Sequence, residues 1–337
     1  MSEIKKIINF SCGIDYPLLK TDEDFLSAVN TELSSAEYSS SKRCKVYAKW
    51  LKEMTKLDAV FSSSVEQAVS VSINFARNYS QKKYSKQRNE ILFIDEGFYK
   101  RFLSKCLGSS LGLSHANSNH VGSFISALSD KTCAVFIEPI SLDNYSSIDK
   151  NFFRQIADVC EARDILLGVF ETCTYPYRVG KLFSFMQYGI LPDIAVVNSG
   201  LANGLSLSAV LYGAKVEKGK LSISPVSEYV FSGALAVAEK VDGFMDAYKK
   251  NAKMLSTAIK MCKKVKEFTG TGVNYLLKVQ DAEKEIQKFK ELGIKVSGGK
   301  GKIYLAPPLS LSQEDFAFCV KTIKDVLDGN PQNPFDV

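Results

Sequence analysis

The sequence predicts an α/β protein, with a mostly parallel sheet in a large domain and a smaller α+β domain towards the C-terminus. Three observations carry this. Short apolar runs alternate with amphipathic helical stretches through the middle of the chain. Strand–helix–strand order of this kind implies a mainly parallel sheet with helices on both faces. With 337 residues and 45% hydrophobic content, the chain has enough core for two domains.

The elements follow in order. KVYAKWLKEMTKL is an amphipathic stretch, and VEQAVSVSINFARNY has apolar residues at helical spacing. ILFID (Ile91 to Asp95) and CAVFIEP (Cys133 to Pro139) read as short buried strands. NFFRQIADVCEARD is a helix and ILLGVFE (Ile165 to Glu171) a third strand. DIAVVN (Asp193 to Asn198) and LSAVLYG (Leu207 to Gly213) are the fourth and fifth. A long helical segment from about Ser232 to Lys266 leads to the small domain. That domain reads strand (VNYLLKV), helix (DAEKEIQKFKELG), Gly-rich turn (SGGKGK), strand (IYLAPP) and helix (QEDFAFCVKTIKDVL). The expected divisions are a short N-terminal segment (1–45), a large domain (46–245), a small domain (246–330) and a frayed tail (331–337).

Composition excludes several classes. Mean hydropathy is near zero, no apolar run reaches a membrane span, and the N-terminus is too polar for a secretory signal. A cytoplasmic location is expected. The eight cysteines lack a CxxC pair and only two histidines exist, so buried reduced thiols are expected rather than disulfides or zinc. Net charge is +6, with basic clusters at Gln81 to Arg88 and Lys260 to Lys266. The first reads as a loop after a helix and the second as the solvated face of a helix. No recognition motif accompanies them, so no nucleic acid is expected. GAKVEKGKL (Gly213 to Leu221) has the wrong spacing for a phosphate loop and reads as an ordinary turn.

The stretch from Leu166 to Ala209 resembles the class III pyridoxal-phosphate aminotransferases, of the acetylornithine/ornithine type. Arg178, Gly180, Lys181, Phe183, Tyr188, Gly189, Pro192 and Asp193 fit that family's frame. FSSSVEQAVSVSINFAR resembles its phosphate-cup segment, FIEPI its VEPIQGE strand end, and IYLAPPLSLSQEDF its IRFAPPLIITEEE segment. The resemblance covers about Val46 to Leu327 and implies a fold-type I pyridoxal-phosphate transferase, dimeric, with active sites between subunits.

Several positions depart from the pattern. Ser199 stands six residues after Asp193, where the family has its cofactor-binding lysine. The family's pyridinium-pairing Asp aligns with Phe170, and the Gln contacting the ring's phenolic oxygen aligns with Cys173. The cup residues become Ser64, Val65 and Glu66, of which Glu66 would set a negative charge beside an anion. The carboxylate-binding Arg aligns with Tyr304, and its usual Glu partner falls on Asp143. The partner-subunit Thr falls near Tyr229. Phe98 matches the ring-stacking aromatic, with packing the favoured role. Glu138, Glu171, Arg178, Gly180 and Lys181 persist, which favours scaffold over chemistry.

Joint change at four functions implies a catalytically inactive homologue that acts by binding a partner or a small ligand. No covalent cofactor is expected, and pyridoxal phosphate is expected to bind weakly or not at all. The alternative is a divergent pyridoxal-phosphate aminotransferase, or an enzyme using the remodelled cleft for other chemistry. A lysine migrated to position 215 or 218 would restore an amine. The implied partner is a second copy or an active paralogue. Phe170, Val65 and Tyr304 predict a narrower, more apolar cleft, packed shut.

Overall fold

The computed structural model describes residues 7–34, 42–94, 97, 100, 112–117, 119–198, 200–217 and 223–329. Its large sheet has seven strands. In chain order they are β2 (Asp58–Ser62), β3 (Glu90–Ile94), β4 (Leu113–Ala116), β5 (Thr132–Ile137), β6 (Leu166–Glu171), β7 (Ile194–Val197) and β8 (Ser208–Tyr212), after a two-residue β1 (Ile8–Asn9). The spatial order is β2-β8-β7-β6-β5-β3-β4. Only β8 runs against its neighbours; β7, β6, β5, β3 and β4 are mutually parallel. Every residue of β5, β6 and β7 is buried, as their continuous apolar sequences require of strands covered on both faces.

Helices cover both faces. They are α1 (Glu23–Leu33), α2 (Lys42–Thr55), α3 (Val65–Lys83), α4 (Val121–Ala127), α5 (Lys150–Ala162), α6 (Ser184–Tyr188), α7 (Glu228–Glu239) and α8 (Val241–Met261). One face packs α3 onto Phe93, Phe136, Phe170, Val196 and Val210. The other packs α1, α2, α5, α6 and α7 onto Leu92, Val135, Val169 and Ala195. Alternation along each strand sends successive side chains to opposite faces, so Val169 and Phe170 enter different clusters.

The small domain is a four-stranded sheet, ordered β12 (Ser297–Gly299), β13 (Lys302–Leu305), β10 (Asn274–Val279) and β9 (Val265–Thr271). It is backed by α9 (Ala282–Glu291) and α10 (Gln313–Asp328). The N-terminal stretch joins it. Ile8–Asn9 pairs in parallel with β11 (Ile294–Lys295), and Ile8 and Phe10 enter the same core as Leu255, Leu277 and Phe316.

The sequence expectation fails in several places, and Ser297–Gly299, expected within a turn, is strand β12. The expected helix from Ser232 to Lys266 is two helices broken at Lys240, followed by strand β9. The basic run Lys260 to Lys266 is therefore a helix end, a turn and a strand start rather than one helical face. Gln81 to Lys83 belong to α3, so only the rest of the first basic cluster is loop. Among the described residues, no helix is long and apolar enough to cross a membrane.

Candidate functional site: a polar cavity at the start of helix α3

Ligands of open parallel sheets sit beyond the carboxyl ends of the strands. Here the ends of β2 and β7 and the start of β8 meet on that edge. They enclose a cavity of about 320 Å³ lined by Ser63, Ser64, Val65, Asn198, Gly200 and Ser208, among others. Helix α3 begins in its wall. Ser64 is the N-cap, its hydroxyl accepting from the Gln67 N–H at 3.2 Å. The first N–H groups of a helix have no partner within it, so those of Val65 and Glu66 remain available to an anion. The 19-residue helix adds the positive end of its dipole.

Two glycines shape the opposite wall. Gly200 has φ +79°, and a Cβ there would lie 2.9 Å from the Ile14 carbonyl oxygen. Gly204 has φ +89°, and a Cβ would lie 2.2 Å from the Tyr16 ring. Both positions need a residue that tolerates left-handed backbone without a side chain. Asp15 and Tyr16, from the N-terminal stretch, complete the rim. Their place in the site gives no local sequence signal, because it depends on how the N-terminus returns to the sheet.

The expected site residues fall in four groups. Ser64 and Val65 line the cavity, whereas Glu66 is exposed and does not line it. Its carboxylate sits in the first turn of α3, where the helix dipole favours it. Ser199 and Phe98 lie outside the described residues; the cavity touches Asn198 and Gly200, on either side of position 199. Phe170 is buried in an aromatic stack, with Phe136 at 5.2 Å and Phe93 at 6.3 Å between ring centroids. Cys173 is buried, its Sγ donating to the Ile140 carbonyl at 3.6 Å, and burial pushes its thiol up. Tyr304 and Asp143 do come together. The Tyr304 hydroxyl donates to the Asp143 carbonyl at 3.5 Å, and Tyr145 packs edge-on against the Tyr304 ring. The Asp143 side chain is exposed. Closure is thus half right: the Phe170 position is packed, and the start of α3 opens on a polar cavity.

The retained residues hold structure. Glu171 is fully buried, which pushes its carboxyl up. It accepts from the Thr174 hydroxyl, from Ser184 through N–H at 2.9 Å and Oγ at 2.7 Å, and from the Phe185 N–H at 3.0 Å. It therefore caps α6. Glu138 accepts from the Leu142 N–H at 3.3 Å and from the Thr172 hydroxyl. Arg178 is fully buried, and desolvation lowers its pKa to about 10. It donates through Nε to Asn274 at 2.8 Å and through Nη1 to the Gly13 and Pro307 carbonyls, each at 3.0 Å. One side chain thus ties the N-terminal stretch, the small domain and the large domain together. Lys215 pairs with Asp193 at 3.2 Å, at the other end of β7 from the cavity, so it is no substitute amine; Lys218 lies outside the described residues.

These residues fit pyridoxal phosphate at its phosphate end: a long helix start, serine hydroxyls and a cavity. At the end where the ring nitrogen would sit, the chain offers Phe170 in place of a carboxylate.

Comparisons with known proteins bear on the family and the fold. The family model described as aminotransferase class III matches residues 113–327. The chain is 28% identical over 315 residues to the acetylornithine aminotransferase of Oceanobacillus iheyensis, covering 83% of this chain and 78% of that protein. It is 25% identical to the acetylornithine aminotransferase of Haemophilus ducreyi, covering 96% of this chain and 89% of that one. In fold it is similar to an ornithine aminotransferase from Toxoplasma gondii, with a TM-score of 0.84 at 17% identity over 96% of this chain and 86% of that one. That structure is described as holding pyridoxal phosphate, at partial occupancy, in its active site. The expectation of no covalent cofactor, with pyridoxal phosphate weak or absent, is overturned here: the family and the named relatives are aminotransferases, the solved neighbour is described with pyridoxal phosphate in its active site, and nothing shows loss of the cofactor. That expectation rested on Ser199 in place of the family's lysine and Phe170 in place of its carboxylate, and the weak binding on Val65 and Glu66 in the cup; of these, Glu66 lies outside the cavity wall. The match spans well over half of the chain, and the chain belongs to the class III aminotransferase family.

Proposed function

We propose that this chain is a divergent pyridoxal-phosphate protein of the acetylornithine/ornithine aminotransferase type, holding the cofactor by its phosphate at the start of α3. One observation carries the reading: a polar cavity at that helix start, bounded by the neighbours of position 199. When bound, the cofactor supplies an electron sink for chemistry at an amine-bearing carbon. The chain's own part is to position it. The N–H groups of Val65 and Glu66 and the hydroxyls of Ser63 and Ser208 address the phosphate. The Phe170 stack, on the α3 face of the sheet, supports the helix from below and keeps water from that face.

The test is a titration of the full chain with pyridoxal phosphate, followed by visible absorbance and by quenching of Trp50. Val65→Asp places a charge in the cavity wall and should weaken binding at least tenfold. An unchanged affinity in that variant, or no binding at millimolar cofactor, would sink the reading. Amine transfer from N-acetylornithine to a 2-oxo acid is then measured on the loaded protein. A second reading, binding without amine transfer, is favoured by Phe170 and Tyr304, neither of which supplies a charge to cofactor or substrate. Cofactor binding with no product formed would select it.

A further inference from the structure

We propose that the small domain carries an anion-binding cleft of its own, suited to a small soluble polyphosphate. The cleft has a volume of about 690 Å³ and lies where the β9–β10 hairpin meets the start of α9. Lys263, Lys264, Lys266 and Lys284 all line it. Lys264 is engaged, donating to Glu285 at 3.1 Å and to the Val326 carbonyl at 2.9 Å. Lys263, Lys266 and Lys284 are exposed; Lys263 faces the Asp328 carboxylate, whose pKa its charge helps to lower, and Lys266 and Lys284 form no salt bridge among the described residues. Ammonium groups gathered on one concavity repel one another, and a multivalent anion relieves that repulsion.

Of the two carboxylates in the lining, one is paired with cations. Glu285 is buried between Lys264 and Lys288, and Asp281 caps α9 by accepting from the Lys284 N–H at 3.1 Å. The first turn of α9 also holds Glu283 and Glu285, so the lysines rather than the helix end supply the field. Neighbouring acids are engaged as well. Glu267 pairs with Lys278 at 2.8 Å, Glu283 accepts from the Lys300 N–H at 2.7 Å, and Asp328 accepts from the Lys263 N–H at 3.1 Å. The volume is that of ordinary small-molecule sites, roughly 300–1,000 Å³. No lining residue is shared with the cavity at Ser64.

Inorganic tripolyphosphate titrated calorimetrically into the full chain, without magnesium and at low ionic strength, tests the proposal. One site per chain is expected. Replacing Lys263, Lys266 and Lys284 together by Ala should weaken it at least tenfold, and replacing them together by Arg should keep it within threefold. All three side chains are exposed, so both variants should fold, with melting curves as the check. Val65→Asp, which disables the α3 cavity, should leave this binding unchanged. The proposal fails if the triple Ala variant binds within twofold of the parent, or if Val65→Asp abolishes the signal. It fails equally if sulfate at matched ionic strength binds as well, which would mean an adventitious ion only. A single-stranded oligonucleotide that binds tenfold tighter through the same lysines would assign the surface to nucleic acid instead.

Discussion

Replacing Phe170 by Asp is the most direct probe of the remodelled cleft, because it puts a carboxylate where the family resemblance places one. Phe170 is 2% exposed and stacks on Phe136 and Phe93. Truncating a core phenylalanine costs about 3–5 kcal/mol. A carboxyl left among these rings without a partner adds about 1–3 kcal/mol. The sum, roughly 4–8 kcal/mol, is a large part of the 5–15 kcal/mol typical of a folded protein. With a urea slope of about 3 kcal/mol/M, the unfolding midpoint should fall by at least about 1.3 M. The loss should also depend on pH. Burial holds the new carboxyl protonated in the folded chain while the unfolded chain ionises above about pH 4. The variant should therefore be less destabilised at pH 4 than at pH 8. Equilibrium urea unfolding followed by near-ultraviolet circular dichroism reads both effects. A midpoint shift below about 0.3 M with intact aromatic signals would refute the reasoning. It would mean that position 170 faces solvent or an open ligand site.

Three further outcomes are expected. Arg178→Met leaves the Gly13 and Pro307 carbonyls and the Asn274 Oδ1 without their donor. It should cost about 3–5 kcal/mol in urea unfolding, and a loss under about 1 kcal/mol would show that the clamp is dispensable. At Asp164, partial burial raises the carboxyl, but hydrogen bonds from Lys83, Tyr84 and Tyr79 outweigh it and hold the pKa at about 2. Its stabilisation is present above the ordinary carboxylate range and lost as pH falls through about 2, so Asp164→Asn should flatten stability between pH 4 and pH 2, by about 1 kcal/mol after solvent screening. We also propose a dimer: light scattering at micromolar concentration should give twice the 37.3 kDa of one chain, and a monomer would point to a different partner.

Legibility in the sequence followed the range of the interactions. Strands β5, β6 and β7 were readable because burial on both faces demands unbroken apolar runs, and α3 because its apolar spacing is local. Strand β2 was missed, since DAVFS alternates between exposed and buried positions and is short. The break at Lys240 was missed because no Gly or Pro stands at it, Gly243 falling inside the next helix, and the helix pattern continues on both sides. In the site, Ser64 and Val65 were legible through the family frame. Asp15, Tyr16 and Ser208 were not, because their approach depends on long-range return of the chain. Glu66 was read as spoiling the cup from its aligned position in the family's cup segment alone. One residue along a helix rotates a side chain by about 100°, enough to take it out of the wall.

The Phe170 stack and the start of α3 are not independent. Phe170, Phe93 and Phe136 belong to the same cluster as Ala68, Val69 and Phe75, which are the inner face of α3. Rings packed on β3, β5 and β6 therefore set how deeply that helix sits, and with it where the N–H groups of Val65 and Glu66 point. Filling one end of the cleft with aromatic volume stiffens the floor beneath the other. Phe170→Leu is a mild change that should cost about 1–2 kcal/mol of stability. Phe170 is not itself among the residues lining the cavity. If the stack positions the helix start, the variant should still bind pyridoxal phosphate less tightly, by about threefold to tenfold, at a temperature where it remains fully folded. Val237→Ala, in the cluster on the opposite face of the sheet, serves as the control of similar cost. Equal affinity in both variants would show that the cup is held by its own turn and cap, and that the aromatic end of the cleft has no hold on the phosphate end.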